Sequence, residues 1–160
     1  MKLSTELWLS TERNEVLRVF TDAATLEHLS PPWAHCRMLT PAPFEMRRDA
    51  RIAYRFRLHG IPFRWEAEIT SWVPPHQFVD EQRRGPYRRW IHTHTFVVDR
   101  GGTLIRDVVE CDFAGGAAIG WLVARDLRKV FAFRHQALLR LFNQPHPWPE
   151  PKIDIRRRAG

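Results

Sequence analysis

Cysteine is nearly absent: Cys36 and Cys111 stand far apart with no Cys-x-x-Cys, so neither a disulfide framework nor a cysteine-based metal site is expected. No stretch approaches the ~18 consecutive apolar residues that span a bilayer. Residues 1–10 alternate polar with apolar side chains and form no apolar centre of a secretion signal. Both absences point to a cytoplasmic chain. Also missing are a glycine-rich phosphate loop, His-Glu-x-x-His and Gly-x-Ser-x-Gly, which removes the usual sequence support for nucleotide-binding, zinc-finger and common hydrolase functions. Lysine is scarce as well. Nearly all of the 25 cations are arginine, and against 18 acids they leave a formal charge of +7. A basic surface attracts nucleic acid or anionic membrane. An arginine skew follows genome base composition as readily, so it assigns no partner by itself.

What is present is a globular composition. The 160 residues are 44% apolar and 12% aromatic, enough for one domain with a substantial core. Residues 2–9 alternate with period two and predict a strand. Ser10 or Thr11 is placed to cap a helix reaching Phe20, and Asp22 a second over 23–29, stopped by Pro31 and Pro32. A strand is expected over 33–39. In residues 51–58 and 63–69 apolar and charged positions alternate, with Gly60 and Pro62 at the turn between them. Pairing Leu58 with Phe63 there puts Arg55 beside Glu66. Further strands are expected over 77–83, 89–98 and 103–113, with turns at Gly85-Pro86 and Gly101-Gly102. Residues 118–142 repeat apolar side chains every three to four positions, the mark of an amphipathic helix. Residues 145–160 carry four prolines and Arg156-Arg157-Arg158, and read as a tail.

This order predicts an α+β fold: a curved antiparallel seven-stranded sheet wrapped on the long C-terminal helix, with two short helices between the first two strands. Only that helix is long enough to cover the sheet's apolar face, and a bent sheet closed by one helix leaves space on its concave side.

Polar residues on an apolar strand face carry the functional signal. Trp90, His92, His94, Phe96 and Val98 share one face of their strand. A turn at Arg100-Gly101 sets Val98 against Thr103 and His94 against Asp107, and the hairpin around Gly85 sets Asp80 against His92 and Gln82 against Trp90. Three readings follow: a structural hydrogen-bond ladder, the polar end of a ligand pocket, or a reactive centre. For reaction, a His oriented by an Asp suits acid–base work in enolisation, cyclisation or dehydration, and no nucleophile accompanies it. For metal, His-x-His places two imidazoles ~6–7 Å apart at the backbone, with Asp107 or Asp80 as a third ligand. That spacing has little specificity, and no metal or cofactor is assigned from it. Tyr54, Trp65 and Trp90 suit cavity walls or plain core. Trp33 and Trp72 adjoin prolines and suit the mouth, and residues 113–120, rich in glycine, suit a gate or a simple joint.

Local phrases sharpen this: Leu29-Ser30-Pro31-Pro32-Trp33, Thr40-Pro41, Phe78-Val79-Asp80-Glu81-Gln82, Gly85-Pro86-Tyr87, alternate Trp90, His92, His94 and Phe96, Gly102-Thr103 with Asp107 and Val109, then Phe131 and Arg134. With the element order, they resemble the START-like (SRPBCC) superfamily of polyketide cyclases, lipid-transfer and coenzyme Q-binding proteins. Within it they resemble a bacterial branch whose members mostly lack an assigned function. Cys111 stands where that resemblance leads one to expect Tyr. The resemblance implies a helix-grip domain over residues 1–143, leaving 144–160 as a Pro/Arg-rich tail, and a cavity for a hydrophobic small molecule of lipid, isoprenoid or polyketide class. Tyr54, Trp65, Trp90 and Phe96 would form its walls, and Asp80, Gln82, His92, His94, Asp107 and Arg134 its polar end. The alternatives are a cofactor-free cyclase or dehydratase, in which His94 held by Asp107 moves a proton, and an adaptor on nucleic acid or anionic membrane. The adaptor would use Arg83, Arg84, Arg88, Arg89 and the tail.

Overall fold

The computed structural model describes residues 1–41, 43–144 and 151–156. β1 (Lys2–Leu9) buries Leu3, Thr5, Leu7 and Leu9 on one face, as its alternation requires. Two short helices follow, α1 (Arg13–Thr21) and α2 (Ala23–His28). Glu12, and neither Ser10 nor Thr11, caps α1, its carboxylate accepting from the Asn14 N–H at 3.3 Å. The strand expected over 33–39 is instead a 3-10 turn (Pro32–Ala34) followed by the two-residue β2 (Arg37–Met38). Proline fixes the backbone at its start and His35 turns left-handed, at φ 45, so only the end of the segment reaches the sheet.

β3 (Arg51–Leu58) and β4 (Ile61–Val73) join through His59 and Gly60, both at positive φ (52 and 81), in a two-residue turn. The turn is tighter than expected, so Leu58 faces Ile61 and Phe56 faces Phe63. An even shift keeps the apolar face inward. It also sets Arg55 against Arg64 in place of Glu66, and Arg64 turns to Glu66 of its own strand at 2.8 Å.

β5 (Gln77–Arg84), β6 (Arg89–Asp99) and β7 (Gly102–Asp112) complete the central meander. Val98 lies opposite Thr103, His94 opposite Asp107 and Asp80 opposite His92, the expected register. The β5–β6 ladder stops at Glu81–Ile91, so Gln82 does not pair with Trp90. Its amide spans the loop instead, donating to the Tyr87 carbonyl at 2.6 Å and accepting from the Tyr87 N–H at 3.3 Å. A Cβ at Gly85 would collide with that amide, so a side chain there would force Gln82 to shift and give up its loop contacts.

The long helix α3 (Ala117–Leu141) buries Leu127, Phe131, His135, Leu138 and Leu139. Beyond it lies a strand not anticipated: β8 (Lys152–Arg156) pairs antiparallel with β1, Ile155 opposite Leu3 and Ile153 opposite Thr5. The tail therefore contributes to the sheet, which has eight strands in the order β2-β3-β4-β5-β6-β7-β1-β8. Prolines dominate the tail's composition, yet Lys-Ile-Asp-Ile-Arg alternates, and both isoleucines pack against the Leu3, Val109 and Phe131 cluster. Register shifts in β4 at Glu66/Ala67 and Ile69/Ser71 mark bulges, which bend a sheet. On the outer face Arg51–Glu68 (2.8 Å), Arg106–Glu6 (2.9 Å) and Arg89–Glu110 (3.5 Å) form solvated pairs.

Replacing both Ile153 and Ile155 with Ala removes two half-buried side chains from β8. Stability should fall by about 2 kcal/mol and Tm by about 4–8 °C, readable by calorimetry. His135 offers a second check. It is buried on α3 with its Nε2 3.3 Å from the Thr5 hydroxyl oxygen, and burial pushes its pKa down to about 4. The unfolded chain binds a proton there below about pH 6.5 that the folded chain refuses until about pH 4. Its contribution, on the order of 3 kcal/mol, is complete above pH 6.5 and lost as pH falls to 4. A His135→Leu variant should show a flatter urea midpoint across that interval.

Candidate functional site

The site follows from β6 and its two neighbours. Alternate positions of β6 turn Trp90, His92, His94 and Phe96 inward, and the register brings Asp80 on β5 and Asp107 on β7 to either side. The two rings stand 3.7 Å apart at their centroids. His94 stacks on Phe78 at 4.1 Å, and His92 meets Phe131 of α3 edge-on at 5.6 Å. Each ring spans both carboxylates. His94 reaches Asp80 Oδ2 through Nε2 at 3.1 Å and Asp107 Oδ1 through Nδ1 at 2.7 Å. His92 reaches the same two oxygens through Nδ1 at 3.5 Å and Nε2 at 3.3 Å. The Asp107 contacts are short but out of line for a hydrogen bond.

Burial and charge divide the roles. Burial alone would raise the Asp107 carboxyl, but His94 and His92 outweigh it and hold it well below the usual value. Asp80 is likewise held low against its burial by a hydrogen bond from His94, by both rings and by Arg134. His94 is raised, its two carboxylate neighbours overcoming burial. His92 is lowered by burial and by the charge on His94. These directions favour ionised carboxylates, a protonated His94 and a neutral His92, beside the Arg134 guanidinium. Arg134 lies over the Phe131 ring at 5.1 Å, its Nε buried without a partner.

In front of the cluster lies a cavity of about 210 Å³. Tyr54, Trp65, Trp90, Asp80, His92, His94 and Arg134 all line it. Tyr54 stacks on Trp65 at 5.9 Å, Trp65 meets Trp90 edge-on at 5.2 Å, and burial lifts the Tyr54 hydroxyl well above its usual pKa. Three expected residues lie off the cavity. Phe96 is core, packed on Phe20 at 5.0 Å; Gln82 closes its hairpin; Asp107 sits behind the histidines, between His94 and Thr5 on the flanking strands. Of the two tryptophans expected at the mouth, Trp33 lines the cavity, whereas Trp72 packs on Phe78 at 6.0 Å. Cys111 is buried in the Phe131 cluster, its thiol raised to about 11 by burial, and leaves no extra room in the cavity.

Residues the sequence analysis did not assign to the cavity complete its walls: Phe20, Leu26 and Leu29 from the helical segment, Phe78 from β5, and Asp126 from α3. Their signals are faint but present. Leu26 and Leu29 are three apart, and Asp126 lies four before Val130 and eight before Arg134, on the same helix face. Asp126 also meets His59 of the β3–β4 turn at 2.6 Å, tying that hairpin to α3 beside the cavity.

The family described as polyketide cyclase / dehydrase and lipid transport matches residues 9–134. The chain belongs to that family. Membership supports ligand binding or cyclase-type chemistry and singles out no ligand. Among solved structures, protein CV1439 from Chromobacterium violaceum superposes with a TM-score of 0.72 at 17% identity, covering 91% of this chain and 98% of that one. Protein Ms6760 from Mycobacterium smegmatis gives 0.68 at 18% identity, over 91% and 92%. TTHA0849 from Thermus thermophilus gives 0.57 at 18%, over 91% and 96%. These likenesses establish the helix-grip fold alone. No functionally curated protein matches the chain. No helix among the described residues is long and apolar enough to cross a membrane.

Removing the carboxylate behind the rings strands a buried charge. Asp107→Asn should cost about 3 kcal/mol in urea unfolding, whereas Arg106→Ala, breaking an exposed pair one residue away, should cost less than about 1 kcal/mol.

Proposed function

We propose that this chain holds a compact amphipathic small molecule, as carrier or sensor, with its apolar body against Tyr54, Trp65 and Trp90. Its polar group meets Asp80, His92, His94 and Arg134. The observation that carries this reading is a void walled mainly by aromatic and aliphatic side chains into which Asp80, His92, His94 and Arg134 also face, while Asp126 in the wall is already paired with His59. A polar group arriving there finds donors and acceptors already buried, while the apolar walls gain by excluding water. The volume lies below the ~300–1,000 Å³ common for drug-sized sites. That favours a short isoprenoid or a single polyketide ring system over a two-chain lipid.

Native mass spectrometry and organic extraction of freshly purified protein test this. One small apolar molecule per chain is expected. Ala67 lines the cavity from β4, and Ala67→Leu should lower the recovered ligand at least tenfold with the circular dichroism unchanged. A preparation that carries no molecule and takes up no apolar probe sinks the proposal. The cyclase or dehydratase alternative is separated by what returns: a recovered molecule chemically altered by incubation with the protein marks turnover, an unaltered one marks carriage. The adaptor alternative rests on Arg83, Arg84, Arg88, Arg89 and the tail; Arg83, Arg89 and Arg156 are ion-paired, and Arg157 and Arg158 lie outside the described residues.

A further inference from the structure

The two imidazoles and the cavity-side carboxylate have an arrangement that ligand carriage does not require. His92 Nδ1 and His94 Nε2 converge on one oxygen, Asp80 Oδ2, at 3.5 and 3.1 Å, and the three ligand atoms lie within 4.8 Å of one another. Four donors around a zinc-type ion at ~2.0–2.1 Å lie about 3.3–3.4 Å apart along the edges of their tetrahedron. The two measured edges bracket that value. The far nitrogens, His92 Nε2 and His94 Nδ1, both turn to Asp107 Oδ1 at 3.3 and 2.7 Å. A carboxylate behind metal-bound histidines is the arrangement that fixes their tautomers and orients their lone pairs forward. Both contacts are short but out of line for a hydrogen bond, so ion binding would include a small turn of each ring that brings His92 Nε2–H and His94 Nδ1–H onto Asp107 and leaves His92 Nδ1 and His94 Nε2 for the ion.

We propose that Asp80, His92 and His94 bind one divalent transition-metal ion of the zinc class, with Asp107 as the positioning carboxylate behind them. The donor set of two nitrogens and one oxygen suits such an ion, and two carboxylates, Asp107 buried and Asp80 partly so, match its charge. Asp80, His92 and His94 line the cavity while Asp107 does not. The fourth position therefore opens into the void, where water or an oxygen of a cavity ligand completes the shell. The β5–β6–β7 register supplies all four residues from strand interiors, so the backbone of the site is set before the ion arrives.

Zinc alone is the probe, so the result does not depend on which molecule fills the cavity. Untagged protein stripped with a chelator is titrated calorimetrically with zinc. One ion per chain, with Kd below about 1 µM, is expected. Asp80→Asn, which keeps shape and hydrogen bonding, should weaken binding at least 100-fold. Asp107→Asn should weaken it about 10- to 100-fold. His76→Ala, altering a histidine beside Arg13 outside the cavity, should leave affinity unchanged. X-ray absorption of the zinc-loaded wild type should show two imidazoles and oxygen donors, which keeps the test decisive where a variant fails to fold. Absence of one-to-one binding, an affinity indifferent to Asp80→Asn in folded protein, or a shell without two imidazoles would overturn the proposal.

Discussion

Two imidazoles sandwiched between two carboxylates across three adjacent strands are the constraint on which the rest of this molecule depends. His92 and His94 cannot enter a sheet interior unpartnered, because a buried polar group without a partner costs more than its aromatic surface returns. Asp80 and Asp107 supply the partners only if β5, β6 and β7 hold one register. A one-residue slip in either hairpin would carry the histidines outward together with Trp90 and Phe96, so apolar burial and polar pairing enforce the same alignment. The charged cluster and the aromatic wall are one solution to one packing problem.

The cavity is the remainder of that solution. α3 covers the sheet through Leu127, Phe131, His135 and Leu138, and the bulges in β4 bend the sheet away where β3 and β4 carry Tyr54 and Trp65. α1 and the segment after α2 close one side with Phe20 and Leu29, and the His59–Asp126 contact ties the β3–β4 turn to the helix. Side chains from five strands and three helical segments reach the void without filling it, and its polar end falls where the two histidines front Asp107.

Much of the site was legible in the sequence because strand alternation and short hairpin turns are local. The pairing of His94 with Asp107 and of Asp80 with His92 came from counting outward from Arg100-Gly101 and Gly85. What failed was depth. Phe96 lies on the same face as His94 but one layer further into the core, against Phe20, and Asp107 lies behind the rings it partners. Alternation gives a side chain's face and is silent on what stands in front of it. Gln82 failed for a related reason: the ladder ends one residue early, and a free amide beside a glycine turn closes the loop.

The fold class, the long helix and the central register were determined by the sequence alone, because each rests on periodicity within one segment or on a hairpin turn of two to four residues. Tertiary structure alone decided the eighth strand, the helical side of the cavity wall and the convergence of two imidazole nitrogens on one Asp80 oxygen. Each of these needs atoms from segments far apart in the chain to meet within a few ångströms. Such meetings are fixed by packing against the whole core, and no single segment carries that information.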